Sequence, residues 1–587
     1  MDGDMGANRL RLLEHHDGLG RVFHVKRGVA RVVGAFHVKR WAPLAMLVVA
    51  VVALSPATAY GQSTTRGMPE RLVLPDRSDV PPPGYARTAR QVTRLAAARP
   101  EVRRARAEHR PAYSRAYVSG RGGWQVSFYV PPERGSRSEE IARVIVEDRR
   151  GRVLAAWTGP QVAWTMARGI PGQFGRAVNA PWVWIGLCVL FVAPFLRRPL
   201  RMLHADLAVL LAFSVSYAFF GAGNLDVSVP SAYPLLAYLL GRMLWLAFRF
   251  REQAPIELAL SPNVLLLGLV FLVGFRIVLN VTNGNVIDVG YSGVMGADRL
   301  LHGETIYGGF PADSPRGDTY GPVAYAAYVP FVLLSPWSGT WDDLPAAHVA
   351  AVIFDLACLA GMWLVGSRLG GRPLAVLLAY LWAACPYTLL VENSGANDAL
   401  LAALLLAAFL CLDRPAARGA LATLAGLTKF APLALVPLFA GYRRGRARSV
   451  AAAIGTGALV LLPVAVGPGL ERFWDRTLGF QSERSSPFSI WGLYGGLDGV
   501  QAALTLAAAA FALAVAFVPR ERDEVTVAAL GAAVLIALQL TVTHWFYLYV
   551  VWFLPLLLIA LIARPGIKAP DAALARSPRR AAAVRTG

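Results

Sequence analysis

Asp288 stands a few residues beyond a long apolar run, roughly Glu257 to Leu279, in a Gly-, Tyr- and Asp-rich stretch from Asn280 to Tyr325. Further polar groups recur at comparable places along the chain. Tyr291, Arg299, His302 and Glu304 follow Asp288, and then the motif Asp318 to Pro322 with Tyr320 inside it. Asn393, Asn397 and Asp398 sit at the mouth of a later apolar run, and Lys429 lies in the turn Gly426–Pro432. Arg484 lies in the polar loop Gln481–Trp491, and His544 closes the penultimate run. A positioned carboxylate can take a proton from a hydroxyl, and a fixed cation can stabilise an anion as it forms. Gathered on one face of a membrane, these groups make one surface site, with Asp288 as its candidate centre.

The elements that must position them are membrane helices. Of 587 residues, 55% are hydrophobic, and the mean hydropathy is +0.45, too apolar for a soluble globule. The net charge of +21, from 58 basic and 37 acidic residues, would suggest nucleic acid on a soluble chain. Here the arginines concentrate in the N-terminal third, in short loops and in the tail, which fits membrane orientation. No zinc-like or basic-aromatic motif appears, so no nucleic-acid partner is expected. Cys188, Cys358, Cys385 and Cys411 lie in apolar runs without paired spacing and read as small core residues.

Thirteen apolar spans are expected near 177–196, 205–222, 229–248, 257–279, 345–365, 373–391, 397–412, 416–428, 431–443, 449–467, 499–519, 524–541 and 545–563. A full span needs about 20 residues, so the two near 416–443 are short. Val323–Leu334 is apolar but reads as a surface or re-entrant helix. The charge register checks this count. Starting outside, every second connection carries arginine: Arg197 to Arg201, Arg249 and Arg251, Arg368 and Arg372, Arg414 and Arg418, Arg443 to Arg448, Arg520 and Arg522, then the tail. The short connections 223–228 and 392–396 carry none. By the positive-inside rule, loop 280–344, Glu392–Ala396, Lys429, loop 468–498 and His544 are expected on the extracytoplasmic side, and the basic tail 564–587 in the cytoplasm.

Residues 1–59 read as an extension and leader. Phe-His-Val-Lys-Arg occurs at Phe23–Arg27 and again at Phe36–Arg40. Encoded as TTT-CAC-GTG-AAA, the DNA would be a palindrome resembling the bacterial chromosome-partitioning site. Residues before about Val38 would then not be translated; the alternative is a tandem duplication. Lys39-Arg40, the apolar run Trp41–Leu54 and Ala57-Thr58-Ala59 form a secretory signal, cleaved after Ala59 or kept as an anchor. Residues 60–176 read as an extracytoplasmic α+β domain. It would have a helix over Arg87–His109, a strand over Trp124–Val130, and a hairpin whose strands Ala142–Glu147 and Arg152–Trp157 flank Asp148–Gly151. The order resembles PepSY-like domains, and a small accessory module without chemistry is the competing reading.

Five further pieces extend the pattern around Asp288 and Tyr291. They are Gly296–Tyr307, Asp318–Pro322, Asn397-Asp-Ala-Leu400, Gly426-Leu-Thr-Lys429 and the aromatic run His544–Tyr549. Together these resemble the GT-C superfamily of membrane glycosyltransferases near glycosyltransferase family 87, over about residues 257–563. The departure is at the front, where the spans in 177–256 and the N-terminal domain precede the similar part. The resemblance implies a GT-C-like core over 257–563 within an all-α polytopic membrane protein of about 13 membrane helices. It also implies transfer of a mannose-like hexose or pentose from a polyprenyl-phosphate donor to a cell-envelope glycan or glycolipid, at the bacterial plasma membrane. In that scheme Asp288 is the base, and Lys429, Arg484 and His544 bind the donor phosphate. Tyr291, His302, Asp318, Tyr320, Asn397 and Asp398 contact substrate. Attack opposite the leaving phosphate inverts the anomeric centre. No Asp-x-Asp motif stands in the loop, so neither metal nor cofactor is expected.

Each residue also has a plainer reading. Asp288 could cap a surface helix, and Asn397 and Asp398 could cap the span they begin. Asp298 and Arg299 could pair on a helix face. His302 could be a surface residue beside Gly303. Lys429 could snorkel, and Arg484 could hold any lipid headgroup. At the level of function, a lipid-linked sugar flippase or transporter is the alternative, followed by a non-catalytic scaffold. Transporters place binding residues near the midplane and often in repeats, whereas these ionisable residues gather at one edge.

Overall fold

The computed structural model describes residues 72–119, 122–132, 138–169, 174–197, 200–249, 255–311, 314–484, 486–565 and 567–568. The Phe-His-Val-Lys-Arg repeat and the leader expectation lie outside the described residues.

The N-terminal part is an antiparallel meander with two helices. Strands β1 (Tyr113–Ser119), β2 (Gly123–Val130), β3 (Glu139–Glu147) and β4 (Val153–Thr158) pair in sequence order. Trp124, Val126 and Phe128 alternate inward on β2 and meet Ala142, Val144 and Val146 of β3, as period-two patterning requires. Val92, Ala96 and Val102 cover them from the helices. The single helix expected over Arg87–His109 is two, Ala89–Ala97 and Pro100–Glu108. Pro100 accounts for the break: it begins the second helix and holds Arg99 extended. The first helix opens on a reciprocal Thr88–Gln91 capping box. Strand β1 escaped the sequence reading because only Ala116 of its seven residues is buried, so it has no hydrophobic alternation. Asp148 in the β3–β4 turn is buried. It accepts hydrogen bonds from the Trp124 indole at 2.8 Å and the Ala86 amide at 2.6 Å, which fastens the hairpin to the start of the domain.

From Pro181 the chain is helical. Among the described residues, five helices are long and apolar enough to cross a membrane: Met202–Gly221, Leu225–Phe248, Pro262–Asn283, Pro345–Ala384 and Arg446–Val466. Seven shorter apolar helical stretches accompany them, among them Asp398–Leu410, Glu524–Gln539 and Tyr547–Ile562. The two spans expected between 345 and 391 form one helix broken at Gly370 and Gly371, followed by Pro386–Asn393. Gly371 sits at φ +68°, a conformation glycine adopts without penalty. Val323–Leu334 forms two short helices, Pro322–Ala326 and Val329–Leu334. Leu267, Val270, Phe271, Val278 and Val281 point outward from one long helix, and Ile454, Leu459, Leu462 and Val466 from another. Such apolar outer faces suit lipid, and the protein is a membrane protein on these helices. All four cysteines are free, three of them buried.

Within the bundle, Arg276 is fully buried between two carboxylates. Its Nη2 meets Asp355 at 2.6 Å, and its Nε lies 2.9 Å from Glu392, off-line for a hydrogen bond. Trp382 and Thr388 complete the cluster. It ties Pro262–Asn283, Pro345–Ala384 and Pro386–Asn393 together. It also fixes Glu392, whose backbone carbonyl accepts from the Asn280 amide at 2.6 Å. Chain direction puts Asp398, Lys429 and the 540–549 segment at one end of the bundle. The ion pairs Arg368–Asp413, Arg368–Glu524 and Arg564–Asp523 lie at the other.

Candidate active site

Three loop pairings assemble the site. In the first, the chain entering Asp288 is held by the turn after Glu392. Asn285 N donates to Asn393 O at 3.0 Å, and Ile287 N donates to Ser394 O at 2.9 Å. The fit is close, since a Cβ on Gly290 would lie 2.4 Å from the Gly395 carbonyl oxygen. The same turn runs on into Asn397 and Asp398, so Asp288 and Asp398 are placed by one structure. In the second pairing, Gly321 N donates to Thr428 O at 3.1 Å and Val323 N to Leu427 O at 3.2 Å. A Cβ on Gly321 would lie 1.9 Å from the Leu427 oxygen, so only glycine lets the two turns meet. This lays Tyr320 beside Lys429. In the third, Arg476 grips Asp318 with Nε at 2.6 Å and Nη2 at 2.7 Å, and Gly308 N adds a bond at 2.7 Å. Loop 468–498 is thereby clamped to the Tyr320 loop.

The resulting centre is compact. Lys429 Nζ donates to Asp398 Oδ1 at 2.7 Å, and the Trp552 indole donates to the same oxygen at 2.7 Å. The ammonium also stands 5.5 Å from the Tyr320 ring, 5.9 Å from Tyr549 and 5.7 Å from Trp552, an aromatic cage for a cation. Tyr549 stacks on Trp552 at 4.3 Å. The Tyr320 phenol is driven well above its ordinary pKa, first by burial and then by the charge on Asp288; Arg484 pulls it the other way. Asp288 and Arg484 therefore both act on Tyr320 through space. Asp288 itself is exposed and makes no ion pair among the described residues.

Arg484 presents its guanidinium to two ring faces, Trp164 at 5.3 Å and Phe480 at 5.7 Å. It has no carboxylate partner among the described residues, and its Nε is buried without a hydrogen bond. His544 shares a hydrogen bond with the Ser486 hydroxyl through Nδ1 at 2.8 Å and packs on Phe488. Burial, followed by the positive Arg484 and Lys429, pushes its pKa well below 6.5. The imidazole is thus neutral near pH 7, a hydrogen-bonding group rather than a cation.

The structure brings Asp288, Tyr320, Asp398, Lys429, Arg484 and His544 together. Asn397 is adjacent to Asp398 and fully buried, with both amide atoms unpartnered among the described residues. Three other residues stand apart from this centre. Tyr291 is buried and stacked on Trp341 at 4.2 Å. His302 is exposed, bonded to the Asp298 carbonyl at 2.9 Å, at the far end of the helix Asp288–Leu301. At 1.5 Å per residue, that is about 20 Å from Asp288. Asp318 is consumed by Arg476. The capping readings change too. Ile287, not Asp288, is the N-cap; Asn397 is an N-cap whose side chain makes no cap bond; and Asp398 is taken by Lys429. Asp298 faces His302 while Arg299 pairs with Glu304 at 2.9 Å, because adjacent helix residues do not face each other. Lys429 is 8% exposed and ion-paired, so it does not snorkel.

Four contributors were not singled out from the sequence: Trp164, Ser486, Arg476 and Trp552. Trp552 follows the His544–Tyr549 run by one helical turn and could have been found from that spacing. Trp164 carries no local signal. No curated protein and no solved structure matches the chain. Residues 319–543 match the model of glycosyltransferase family 87, so this part of the membrane chain is similar to that family.

Proposed function

We propose that the protein transfers a sugar, a mannose-like hexose or a pentose, from a polyprenyl-phosphate donor to a cell-envelope glycan or glycolipid. The reaction inverts the anomeric centre and takes place on the extracytoplasmic face of a bacterial plasma membrane. The carrying observation is that one turn, 393–398, places both Asp288 and the Lys429–Asp398 pair, while Arg484, with no carboxylate partner among the described residues, is joined to His544 through Trp164 at one end of an apolar bundle. The family match covers Tyr320, Asn397, Asp398, Lys429 and Arg484, while Asp288 and His544 fall outside it.

In this reading Asp288 takes the proton of the acceptor hydroxyl as its oxygen attacks the anomeric carbon. The bond from that carbon to the phosphate oxygen breaks, and the electron pair leaves with the lipid phosphate. The negative charge that develops is met by Arg484. Lys429 is already neutralised by Asp398, so its task is to hold Asp398 and Tyr320 in place. Asp398 Oδ2 and both atoms of the Asn397 amide are buried without partners among the described residues. Sugar hydroxyls would satisfy them, since a buried polar group without a hydrogen bond costs about 1–3 kcal/mol. A transport reading would draw on intramembrane charge, but Arg276 is closed on Asp355 and Glu392. The test is incubation of the purified protein with radiolabelled polyprenyl-phosphate sugars and envelope lipids. A mobility-shifted product of opposite anomeric configuration is expected. Absence of any product across the panel, with lipid-linked sugar crossing a proteoliposome bilayer instead, would overturn it.

A further inference from the structure

The segment that joins β4 to the first membrane helix is fastened to the site end of the bundle. Gln161 Nε2 donates to Gly223 O at 3.0 Å, in the turn between Met202–Gly221 and Leu225–Phe248. Arg168 donates back to the carbonyls of Gln161 at 2.7 Å and Val162 at 3.0 Å, with its guanidinium 4.0 Å from the Trp157 ring. A Cβ on Gly169 would stand 2.4 Å from both Gly221 O and Gly223 N, so the two backbones touch. Farther along, Asn393 Nδ2 donates to Phe174 O at 2.9 Å. Trp164 sits inside this fastened stretch. Its ring lies 5.5 Å from Phe488, 6.1 Å from His544 and 5.3 Å from the Arg484 guanidinium.

We infer that Trp164, supplied from outside the helical core, is a positioning residue that holds Arg484 ready for a phosphate group. The inference rests on the reading of Arg484 as the cation that meets the leaving phosphate. Its basis is a contrast among the charges nearby. Lys429 is paired with Asp398, Arg476 with Asp318, and Arg276 with Asp355. Arg484 alone of these four is held by ring faces instead of carboxylates. A ring face attracts the guanidinium plane without neutralising it, and leaves its N–H edge directed at whatever anion arrives. A carboxylate in that place would cancel the charge. Trp164 and Phe480 thus do for Arg484 what a salt bridge could not, and the N-terminal part of the chain becomes a contributor to the site.

The test uses the full-length protein in lipid nanodiscs, with a sugar-free polyprenyl monophosphate as probe and inorganic phosphate in a parallel arm. Trp164→Ala should weaken binding of the polyprenyl monophosphate by about tenfold, the worth of one desolvated cation–ring contact. Trp164→Phe should recover most of that. Arg484→Gln should abolish the dependence, so that adding Trp164→Ala to it changes nothing further. A merely structural tryptophan would weaken binding equally in both backgrounds. Inorganic phosphate binding with the same Trp164 dependence supports a subsite for the phosphate alone. Binding that requires the polyprenyl chain supports a lipid headgroup subsite. Wild-type affinity in Trp164→Ala, or additive effects of the two substitutions, would overturn the inference while leaving the transferase reading intact. Failure of the wild-type protein to bind either probe would remove the phosphate reading of Arg484 itself, and the inference with it.

Discussion

Asp288→Asn separates chemistry from folding more cleanly than any other substitution in this site. Asp288 is exposed, lies at the first position of the helix Asp288–Leu301, and makes no ion pair among the described residues. Its contribution to stability is therefore confined to the favourable placement of a negative charge at a helix N-terminus, about 0.3–1 kcal/mol. Asparagine keeps the shape and loses only that. As the base, by contrast, the carboxylate would supply about 10²–10⁴ in rate. At 1.36 kcal/mol per decade this is about 2.7–5.4 kcal/mol of barrier. The expected outcome is loss of at least two decades of sugar transfer with an unfolding transition moved by at most the small dipole contribution. Transfer is followed with labelled polyprenyl-phosphate sugar, and unfolding with tryptophan fluorescence in the same detergent. An Asn variant that transfers sugar at the wild-type rate would refute the assignment of the base. One that loses activity only in proportion to unfolded protein would refute the reasoning that Asp288 is structurally idle.

Lys429→Met leaves Asp398 buried without its counter-ion and should destabilise the protein by about 3–5 kcal/mol. The double variant Asp398→Asn/Lys429→Met should recover part of that loss, and equal unfolding midpoints for the two would show that the pair is not coupled. Arg476→Ala should release loop 468–498 from Asp318, seen as faster limited proteolysis within it; an unchanged cleavage pattern would count against the clamp. His544 has a folded pKa depressed below 6.5, so the unfolded state binds its proton first as pH falls. Stability should then decline on acidification below about pH 6.5, by up to about 1.4 kcal/mol per pH unit from this one group. His544→Gln should flatten that slope, and identical slopes in thermal melts would rule out the buried neutral imidazole. Transfer should persist in excess chelator, since the proposed chemistry uses side-chain charges only; restoration of lost activity by a divalent cation would contradict it.

Sequence alone decided that the chain lives in a membrane, and roughly where its helices run. Hydropathy and length are properties of contiguous residues, and a bilayer reads them one helix at a time. The expected starts at 397, 416, 499 and 524 fall within one residue of the helices that begin at Asp398, Pro415, Asp498 and Glu524. The same logic made the Gly426–Pro432 turn legible, because two short apolar runs with lysine between them have little freedom. The break at Pro100 was available in principle and was passed over, whereas the break at Gly370 and Gly371 falls in the connection expected between the spans 345–365 and 373–391. What tertiary structure decided is which charges are spent. Nothing local distinguishes Lys429 from Arg484, or Asp288 from Asp318. One member of each pair is neutralised by a partner 31 or 158 residues away in the chain, and the other has no ion-pair partner among the described residues. Pairing depends on distance in space, falls off steeply with it, and leaves no trace in sequence spacing. Trp164 shows the same limit from the other side: a residue in an ordinary loop becomes part of the site only because its backbone is fastened against Gly221 and Gly223.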